Sequence, residues 1–287
     1  MKKSDPFVLV LGIAQDGGYP HTGCFKKCCL KAWKNPSLKK NVTCIAIVDP
    51  LTKKKWIIDA TPDFDEQLFM FGCTIPGDIS GILLTHAHIG HYTGLMHLGK
   101  KAMNTKNLTV YAAPKMKKFL QTNLPWSKLI KNKNIKLIPI SVSKPINLNK
   151  RIRVIPFIVP HRDEFSETLG FRIESLNSSA VFIPDIDSWD NWENKLIEII
   201  RDSGRVYIDG TFYDSNELPK NRISKVPHPF ISETIKLLNS LSRKEKNKVH
   251  FIHLNHTNPC INEGSKKRKT IKASGFHISE EMSRFYF

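Results

Sequence analysis

The chain has 287 residues, of which 40% are hydrophobic and 24% charged, a composition that excludes a disordered or fibrous protein. Its 44 lysines and arginines outnumber 26 acidic residues, for a formal charge of +18. No stretch reaches the roughly 18 apolar residues of a membrane span, and the apolar run 7–12 is too short for a secretory signal, so we expect a cytoplasmic protein that does not bind membranes.

Runs rich in Val and Ile alternate with segments of near-3.6-residue apolar spacing, which predicts both strands and helices. The predicted strands are 7–12, 42–48, 55–59, 81–84, 108–112, 135–142, 152–159, 168–173, 180–183, 205–207 and 248–253. The predicted helices are 63–71, 94–104, 113–122, 191–202 and 231–241. This order, with no repeat or linker, predicts one α/β (α+β) domain over 1–287, in which two sheets pack face to face with helices outside.

The positive charge is scattered along the chain, which is typical of a lysine-rich solvated surface. The densest basic cluster, at 266–269, is predicted to lie in a loop and has no nucleic-acid motif or row of aromatic residues beside it. Nucleic acid is therefore not the expected partner. A small-molecule or peptide-derived substrate is expected instead, and a homodimer stays open.

The most informative stretch follows the predicted strand 81–84 and reads Thr-His-Ala-His-Ile-Gly-His over residues 85–91. His86 and His88 are one residue apart, so both rings would point to the same side of an extended loop. His91 would return to the same pocket as the chain turns into a helix. Converging neutral imidazoles are typical ligands of zinc, manganese or iron, so this stretch predicts a metal centre.

This stretch resembles the His-x-His-x-Asp-His motif of the metallo-β-lactamase fold superfamily, which implies a four-layer αββα sandwich with metal at its edge. The later ligands that the resemblance implies have candidates where predicted strands end. The first metal would be held by His86, His88, His161 and Asp185. The second would be held by His91, His253 and the shared Asp185.

Position 90 departs from the motif, because Gly90 stands where relatives carry an aspartate that ligates the second metal. We therefore expect one firmly occupied site and a second that is weaker or empty. Asp187, Asp209 or a water would complete the second site. Two equally tight equivalents in a metal titration of the stripped protein would contradict this expectation.

Three of the six cysteines, Cys24, Cys28 and Cys29, fall close together. Without an export signal, a disulfide framework is not expected, and the alternatives are a metal site or cysteines buried in the core. The cluster, the Asp-Gly-Gly loop at 16–18 and the segment 253–259 resemble coenzyme PQQ biosynthesis protein B and the cyclic phosphodiesterases of phosphonate degradation. The resemblance covers almost the whole chain and implies a structural Zn²⁺ on these thiols and His256, although the usual spacing is Cys-x-Cys-x-x-Cys.

A metal with an open coordination position lowers the pKa of bound water towards ~7, so hydrolysis of a small ester or phosphodiester is the leading function. The catalytic metal would be Zn²⁺, Mn²⁺ or Fe²⁺, and the catalytic candidates are Asp185, His253 and His228. The resemblance also leaves open an iron-dependent oxidase or hydroxylase and a non-catalytic carrier of a PQQ-like ligand. A nuclease is not favoured, because such relatives usually keep the motif aspartate and add a clamping domain.

Further polar residues lie near the predicted strand ends. Asp16 precedes two glycines that would let a ligand approach the backbone or would simply form a tight turn. Asp59 would accept a hydrogen bond from a ligand imidazole, and Asp209 with Thr211 would support the site from behind. His228 lies just before a predicted helix, where it would contact substrate or stand exposed in its loop.

Overall fold

A computed structural model of the protein describes residues 4–74, 77–176, 178–217 and 226–287. Its main strands form two seven-stranded sheets. The strands of the first sheet are β1 (Phe7–Gly12), β2 (Cys44–Asp49), β3 (Lys54–Ile58), β4 (Gly81–Leu83), β5 (Leu108–Ala112), β6 (Ile135–Pro139) and β14 (Arg284–Tyr286). The strands of the second sheet are β7 (Ile146–Asn147), β8 (Ile152–Ile158), β9 (Leu169–Ser175), β10 (Ser178–Ile183), β11 (Arg205–Asp209), β12 (Val249–Ile252) and β13 (His277–Ile278).

The two sheets repeat one arrangement of strands. Their orders are β14-β1-β2-β3-β4-β5-β6 and β13-β12-β11-β10-β9-β8-β7. In each sheet, antiparallel pairings occupy one half and parallel pairings the other. As a result β1, β3 and β4 run in one direction in the first sheet, and β8, β10, β11 and β12 do so in the second. The predicted mixed α/β sandwich is confirmed.

Alternation along β1 shows how the layers pack. Val8 and Val10 belong to a buried cluster with residues of the second sheet, such as Phe171. Leu9 and Leu11 belong to a second buried cluster, which contains residues of the outer helices. Because successive strand residues point to opposite faces, the first sheet contacts the second sheet on one face and helices on the other.

Nine α-helices occur in the described residues, and three of them were predicted at nearly the same bounds. They are α1 (Lys27–Lys34), α2 (Phe64–Thr74), α3 (Ile89–Tyr92), α4 (Pro114–Thr122), α5 (Trp126–Lys131), α6 (Glu193–Arg201), α7 (Ile231–Leu237), α8 (Arg243–Lys246) and α9 (Lys266–Ala273). The predicted loop at 266–269 is wrong, because Ser265 caps α9 by accepting a hydrogen bond from the Arg268 amide.

The predicted helix 94–104 is also wrong in its position. The chain turns into α3 at Ile89 and continues as a 3₁₀ helix over Thr93–Leu98. The Ala60 amide donates to the His91 carbonyl and the Gly94 amide donates to the Ala60 carbonyl, both at 2.9 Å. A Cβ at Gly94 would lie 2.2 Å from the Thr61 carbonyl oxygen, so only glycine permits this contact. The backbone after β3 therefore fixes where the helix begins.

The segments that follow β1 and β12 are hydrogen-bonded to each other and join the two sheets. The Leu254 amide donates to the Ile13 carbonyl at 2.7 Å, and the Gln15 amide donates to the Leu254 carbonyl at 2.9 Å. This pairing holds Asp16 and His253 on neighbouring segments.

Candidate metal centre

The candidate site lies where strands of both sheets end. Each strand that carries a site residue runs in the same direction as the others in its sheet, so their carboxyl ends share one edge of the sandwich. The residues that follow these strands are Asp16 (β1), Asp59 (β3), His86, His88 and His91 (β4), His161 (β8), Asp185 (β10), Asp209 (β11, its last residue) and His253 (β12). Ligand sites at the carboxyl ends of strands are common in α/β proteins.

The first predicted ligand set comes together in the structure. Ligand atoms of His86, His88 and His161 all lie within 4.8 Å of one another. His161 Nε2 is 3.2 Å from His88 Nδ1 and 3.9 Å from Asp185 Oδ1, and His86 Nε2 is 4.0 Å from Asp185 Oδ2. Ligands bonded to zinc at about 2.0–2.2 Å lie roughly 3–4 Å apart, so this arrangement fits a divalent cation.

The protonation of these rings also suits metal binding. Burial lowers the pKa of His86 well below its ordinary value, and burial lowers the pKa of His88 to about 4. Both imidazoles are therefore neutral near pH 7. The Thr85 hydroxyl donates to Asp59 and lies 2.9 Å from His86 Nδ1, so it accepts that ring's proton and leaves Nε2 free.

The second predicted set also comes together around Asp185. Asp185 Oδ2 lies 3.2 Å from His91 Nε2 and 3.4 Å from His253 Nε2. His91 Nδ1 donates to Asp59 Oδ2 at 2.7 Å, and His253 Nδ1 lies 3.0 Å from the Thr211 hydroxyl. Each ring is thus held through one nitrogen while its other nitrogen faces Asp185.

The acid in direct contact with the second set is Asp16. Asp16 Oδ1 is 3.3 Å from His91 Nε2 and 3.4 Å from His253 Nε2. Asp187 Oδ1 lies 2.8 Å from His161 Nδ1, on the far side of a first-set ring, so the expectation that Asp187 would complete this set is wrong. Asp209 has ligand atoms within 4.8 Å of Asp185 and His253, but its closest contact is His228 Nδ1 at 2.6 Å. Its part in the set stays a prediction.

Several buried polar atoms at this place have no hydrogen-bond partner. In the described part of the chain they include Asp16 Oδ1, His86 Nε2, His91 Nε2, Asp185 Oδ2, His228 Nε2 and His253 Nε2. An isolated unpaired polar atom is costly in a protein interior, and six that converge on one space indicate a missing binding partner. Imidazole nitrogens and carboxylate oxygens together are the donor set of a divalent metal.

The charged groups around His91 and Asp185 also favour a bound cation. Burial opposes protonation of His91, but Asp59, Asp16 and Asp185 outweigh burial and raise the pKa of its ring well above the ordinary value. Burial also opposes ionisation of Asp185, yet the adjacent rings of His253 and His91 hold the pKa of its carboxyl well below the usual range. Three carboxylates around one imidazole form a negative site that a cation would neutralise.

His228 lies within the site although its sequence context also allowed an exposed loop. It is buried, and its ring centre is 5.6 Å from that of His161 and 5.9 Å from that of His253. Its Nδ1 lies 2.6 Å from Asp209 Oδ2. Burial opposes protonation, but Asp209 outweighs it and raises the pKa of His228. Asp209 therefore holds one nitrogen of the His228 ring, while the buried Nε2 has no hydrogen-bond partner.

Asp59 and His253 end their strands in the left-handed backbone region, with φ of 72° and 64°. Among residues other than glycine, aspartate and histidine enter this region more readily than most. Such conformations persist where the surrounding structure fixes them, and they often accompany functional sites. Both turns direct a side chain into the second ligand set.

Asp59 provides a test of positioning. We expect Asp59→Asn to weaken metal binding at the second set by about 10–100-fold, because both Asp59 oxygens accept hydrogen bonds, from Thr85 and from His91, and the amide nitrogen of asparagine cannot accept either. Asparagine keeps the shape and tolerates the positive φ, so the melting temperature should change little. Isothermal titration of metal into the stripped protein measures the effect. An unchanged second binding constant would contradict the role of Asp59.

The cysteine cluster forms a separate candidate metal site. Ligand atoms of Cys24, Cys28, Cys29 and His256 lie within 4.8 Å of one another. His256 Nδ1 is 3.3 Å from Cys29 Sγ and 3.7 Å from Cys28 Sγ, and Cys24 Sγ is 3.6 Å from Cys28 Sγ. Three sulfurs and one imidazole nitrogen form the donor set of a closed tetrahedral zinc site. Cys28 and Cys29 lie in the first turn of α1, which begins at Lys27, whereas Cys24 lies in the loop before it. The helix therefore sets the positions of two of the three thiols.

His21 lies beside this cluster, although no motif in the sequence marks it. Its ring packs against that of His256 with centres 4.4 Å apart and planes tilted by 35°, and its backbone amide donates to Cys29 Sγ at 3.4 Å. Trp33 also contributes, because its indole nitrogen donates to the Cys24 carbonyl at 2.7 Å. These contacts hold the chain around the thiols.

Sequence comparison gives the family. The profile described as "Beta-lactamase superfamily domain" matches residues 55–253, which is well over half of the chain. The chain belongs to the beta-lactamase superfamily. The matched range contains every residue of both predicted catalytic ligand sets, and Asp16 precedes it.

Curated relatives match this chain over almost its whole length. Coenzyme PQQ synthesis protein B of Xanthomonas oryzae pv. oryzae is 23% identical, covering 96% of this chain and 97% of the relative. The protein of the same name from Acinetobacter baylyi is 26% identical, covering 95% of this chain and 97% of the relative. The predicted resemblance to this branch is confirmed.

Solved structures share the fold. Zinc-bound PqqB from Methylobacterium extorquens superposes with a TM-score of 0.80 at 22% identity, covering 98% of this chain and 100% of PqqB. A diphosphatase from the PhnP family gives a TM-score of 0.71 at 19% identity, covering 98% of this chain and 97% of the diphosphatase. The short form of human tRNase Z gives a TM-score of 0.59 at 11% identity, covering 97% of this chain and 98% of tRNase Z. The predicted four-layer sandwich is therefore confirmed.

Among the described residues of this superfamily member, no helix combines the length and the apolar character that crossing a bilayer requires.

Proposed function

We propose that this chain is a metal-dependent hydrolase acting on a small ester or phosphodiester-type substrate. The observation that carries the proposal is the pair of ligand sets that share Asp185 and direct unpaired buried atoms into one space. The names of two structural relatives support it, because one was crystallised with zinc and another is a diphosphatase. The structural zinc on the cysteine cluster is part of the same proposal.

The proposed ligands are the two sets described above. Divalent ions held there would polarise an ester or phosphoryl oxygen and provide a nucleophile from water at neutral pH. Asp185 lies between the sets and keeps its carboxylate ionised, so it can serve both. Thr85, Asp59 and Thr211 fix the ligand rings, which limits their reorganisation during the reaction.

His228 is the proposed general acid. Asp209 accepts its Nδ1 proton, so a protonated ring would carry its second proton on the unpartnered Nε2. The ring lies 5.6 Å and 5.9 Å, centre to centre, from the proposed ligands His161 and His253, so Nε2 would be close enough to give a proton to the leaving oxygen of a substrate. This acid favours hydrolysis over oxygenation, because cleavage of an ester needs a proton for its leaving group.

The curated relatives favour a second function. Their name, coenzyme PQQ synthesis protein B, supports a role in PQQ synthesis, as an iron-dependent oxidase or hydroxylase or as a carrier. A His-rich site with carboxylates also suits ferrous iron. The two functions differ in whether dioxygen is consumed.

Activity assays distinguish them. The protein would be loaded with Zn²⁺, Mn²⁺ or anaerobic Fe²⁺ and assayed with p-nitrophenyl acetate and bis(p-nitrophenyl) phosphate, while an oxygen electrode records dioxygen uptake. We expect ester or phosphodiester cleavage that is lost with His88→Ala. Dioxygen uptake by the iron form with no cleavage of either substrate would contradict the proposal.

The variant His228→Asn tests the proposed role of His228 as general acid. We expect kcat to fall by about 10²–10⁴-fold, because general acid catalysis typically supplies that factor. The metal content should match the unaltered protein, since His228 is not a proposed ligand. His277→Asn, at a half-buried histidine on β13, serves as the control and should keep both properties. An unchanged kcat for His228→Asn would remove the residue from the mechanism.

A further inference from the structure

Gly90 and Asp16 occupy complementary places. Gly90 lies in the first turn of α3, where the family motif has an aspartate. A Cβ built on Gly90 would lie 2.3 Å from Asp16 Oδ1 and 2.7 Å from Asp16 Cγ. The carboxylate of Asp16 thus fills the space in which a side chain at position 90 would begin. The two positions cannot both carry an acid in this arrangement.

The backbone around Asp16 holds it in this place. On its amino side, the Gln15 amide donates to Leu254 at 2.9 Å and the Ala14 amide donates to Asn41 at 2.9 Å. On its carboxyl side, the Gly18 amide donates to the Gln15 carbonyl at 2.7 Å, and Gly18 has a φ of 69°. The tight turn and the ligand-facing carboxylate are therefore features of the same loop.

The electrostatics agree with a ligand role. Asp16 Oδ1 is buried without a hydrogen-bond partner while it lies within 3.4 Å of two ring nitrogens. A carboxylate whose free oxygen faces two imidazole nitrogens is a metal ligand in type and position.

We propose that Asp16, from the loop after β1, is the carboxylate ligand of the second metal in place of the aspartate that Gly90 removes from the histidine motif. The second metal would then be held by His91, His253, Asp185 and Asp16. The inference deepens the proposed function, because it assigns a ligand in the same site. It replaces the expectation of a weak or empty second site, in which Asp187, Asp209 or a water was to complete the ligands.

A double-mutant cycle tests the exchange of positions. In Asp16→Ala the second metal loses a ligand, so we expect its affinity to fall by about 100-fold or more, beyond the 10–100-fold typical of lost outer contacts. In Gly90→Asp the new side chain meets Asp16, so we expect a lower melting temperature and a disturbed second site. The double variant Asp16→Ala/Gly90→Asp returns an acid and removes the overlap with the Asp16 carboxylate, while the Cα of residue 16, 2.8 Å from the built Cβ, must still move slightly. It should bind the second equivalent more tightly than either single variant.

The readouts are isothermal titration of Zn²⁺ and Mn²⁺ into the stripped proteins and elemental analysis of the loaded ones. Asp65→Ala, at an exposed acid on α2, is the charge-matched control and should bind like the unaltered protein. The inference is overturned if Asp16→Ala binds two equivalents as tightly as the unaltered protein, or if the unaltered protein binds one catalytic equivalent only. It is also overturned if the double variant keeps the melting temperature of Asp16→Ala, which shows that the new side chain fits, and still gives no recovery of the second equivalent.

The metal titrations do not depend on any substrate. A protein that binds two catalytic metals through Asp16 but cleaves neither ester nor phosphodiester would contradict the proposed function and leave this inference standing. Conversely, a hydrolase whose second metal ignores Asp16 would contradict this inference alone.

Discussion

Asp185→Asn should remove metal from both catalytic ligand sets and lower hydrolytic activity by at least about 10²–10³-fold. The carboxylate is the one proposed ligand common to both sets, with oxygens 3.2 Å from His91 Nε2 and 3.9 Å from His161 Nε2. The amide keeps the size of the side chain but loses its negative charge. Elemental analysis after gel filtration and an assay of the loaded protein would measure the two effects.

Asp190→Asn is the matched control for this substitution. Asp190 is exposed and lies in the same connection between β10 and α6, where it contacts Ser188. It should retain full metal content and activity. If Asp185→Asn also retained its catalytic metals, the shared-ligand arrangement would be wrong, whatever the activity.

Cys29→Ser should cause the largest loss of stability. Cys29 is fully buried, and its sulfur lies 3.3 Å from His256 Nδ1. A structural zinc contributes its binding free energy to folding, so we expect a loss on the order of several kcal/mol. For a domain of this size that corresponds to a fall of roughly 10 °C in melting temperature. Calorimetry and zinc analysis of the purified variant would show both changes together.

Cys73→Ser provides the control, because Cys73 is exposed on α2 and lies outside the cluster. Its zinc content and melting temperature should equal those of the unaltered protein.

The comparison of His256→Ala with His253→Ala adds a second check. The first should lower stability and activity together, while the second should lower activity and spare the fold. An unchanged melting temperature in both Cys29→Ser and His256→Ala would refute the structural zinc.

Much of the fold follows from local sequence patterns. The apolar strands were recognisable because buried strands here are short, rich in Val and Ile and separated by polar segments, as in 7–12 and 205–209. Short elements such as β7 and β13 escaped, since two-residue strands carry no periodic signal. The helix at 266–273 escaped because its charged residues hide the single buried position, Ile271.

The ligands at strand ends were predictable for a similar reason. A polar residue directly after an apolar strand lies at the edge of a sheet, which is how His161, Asp185 and His253 stand out in the sequence. His228 was harder to assign, because it follows no strand and its burial depends on Asp209 and on packing in three dimensions. Which rings point inward was not visible in the sequence at all.

Asp16 shows where sequence reasoning stopped. Its loop was visible as a tight turn, but its role depends on a long-range contact with position 90 and on the pairing of Gln15 with Leu254. The motif shows that an acid is missing at position 90, and the substitutes considered were acids that follow later strands, Asp187 and Asp209. The carboxylate beside Gly90 in space comes from the loop after the first strand, which no motif connects to position 90.

The paired segments after β1 and β12 couple the two candidate metal sites. The segment after β1 carries Asp16 and then the three thiols, and the segment after β12 carries His253 and then His256. Each segment therefore contributes to the cysteine cluster and to the candidate metal centre. Loosening the cysteine cluster would also release the loop that holds Asp16, so damage to one site should be felt at the other.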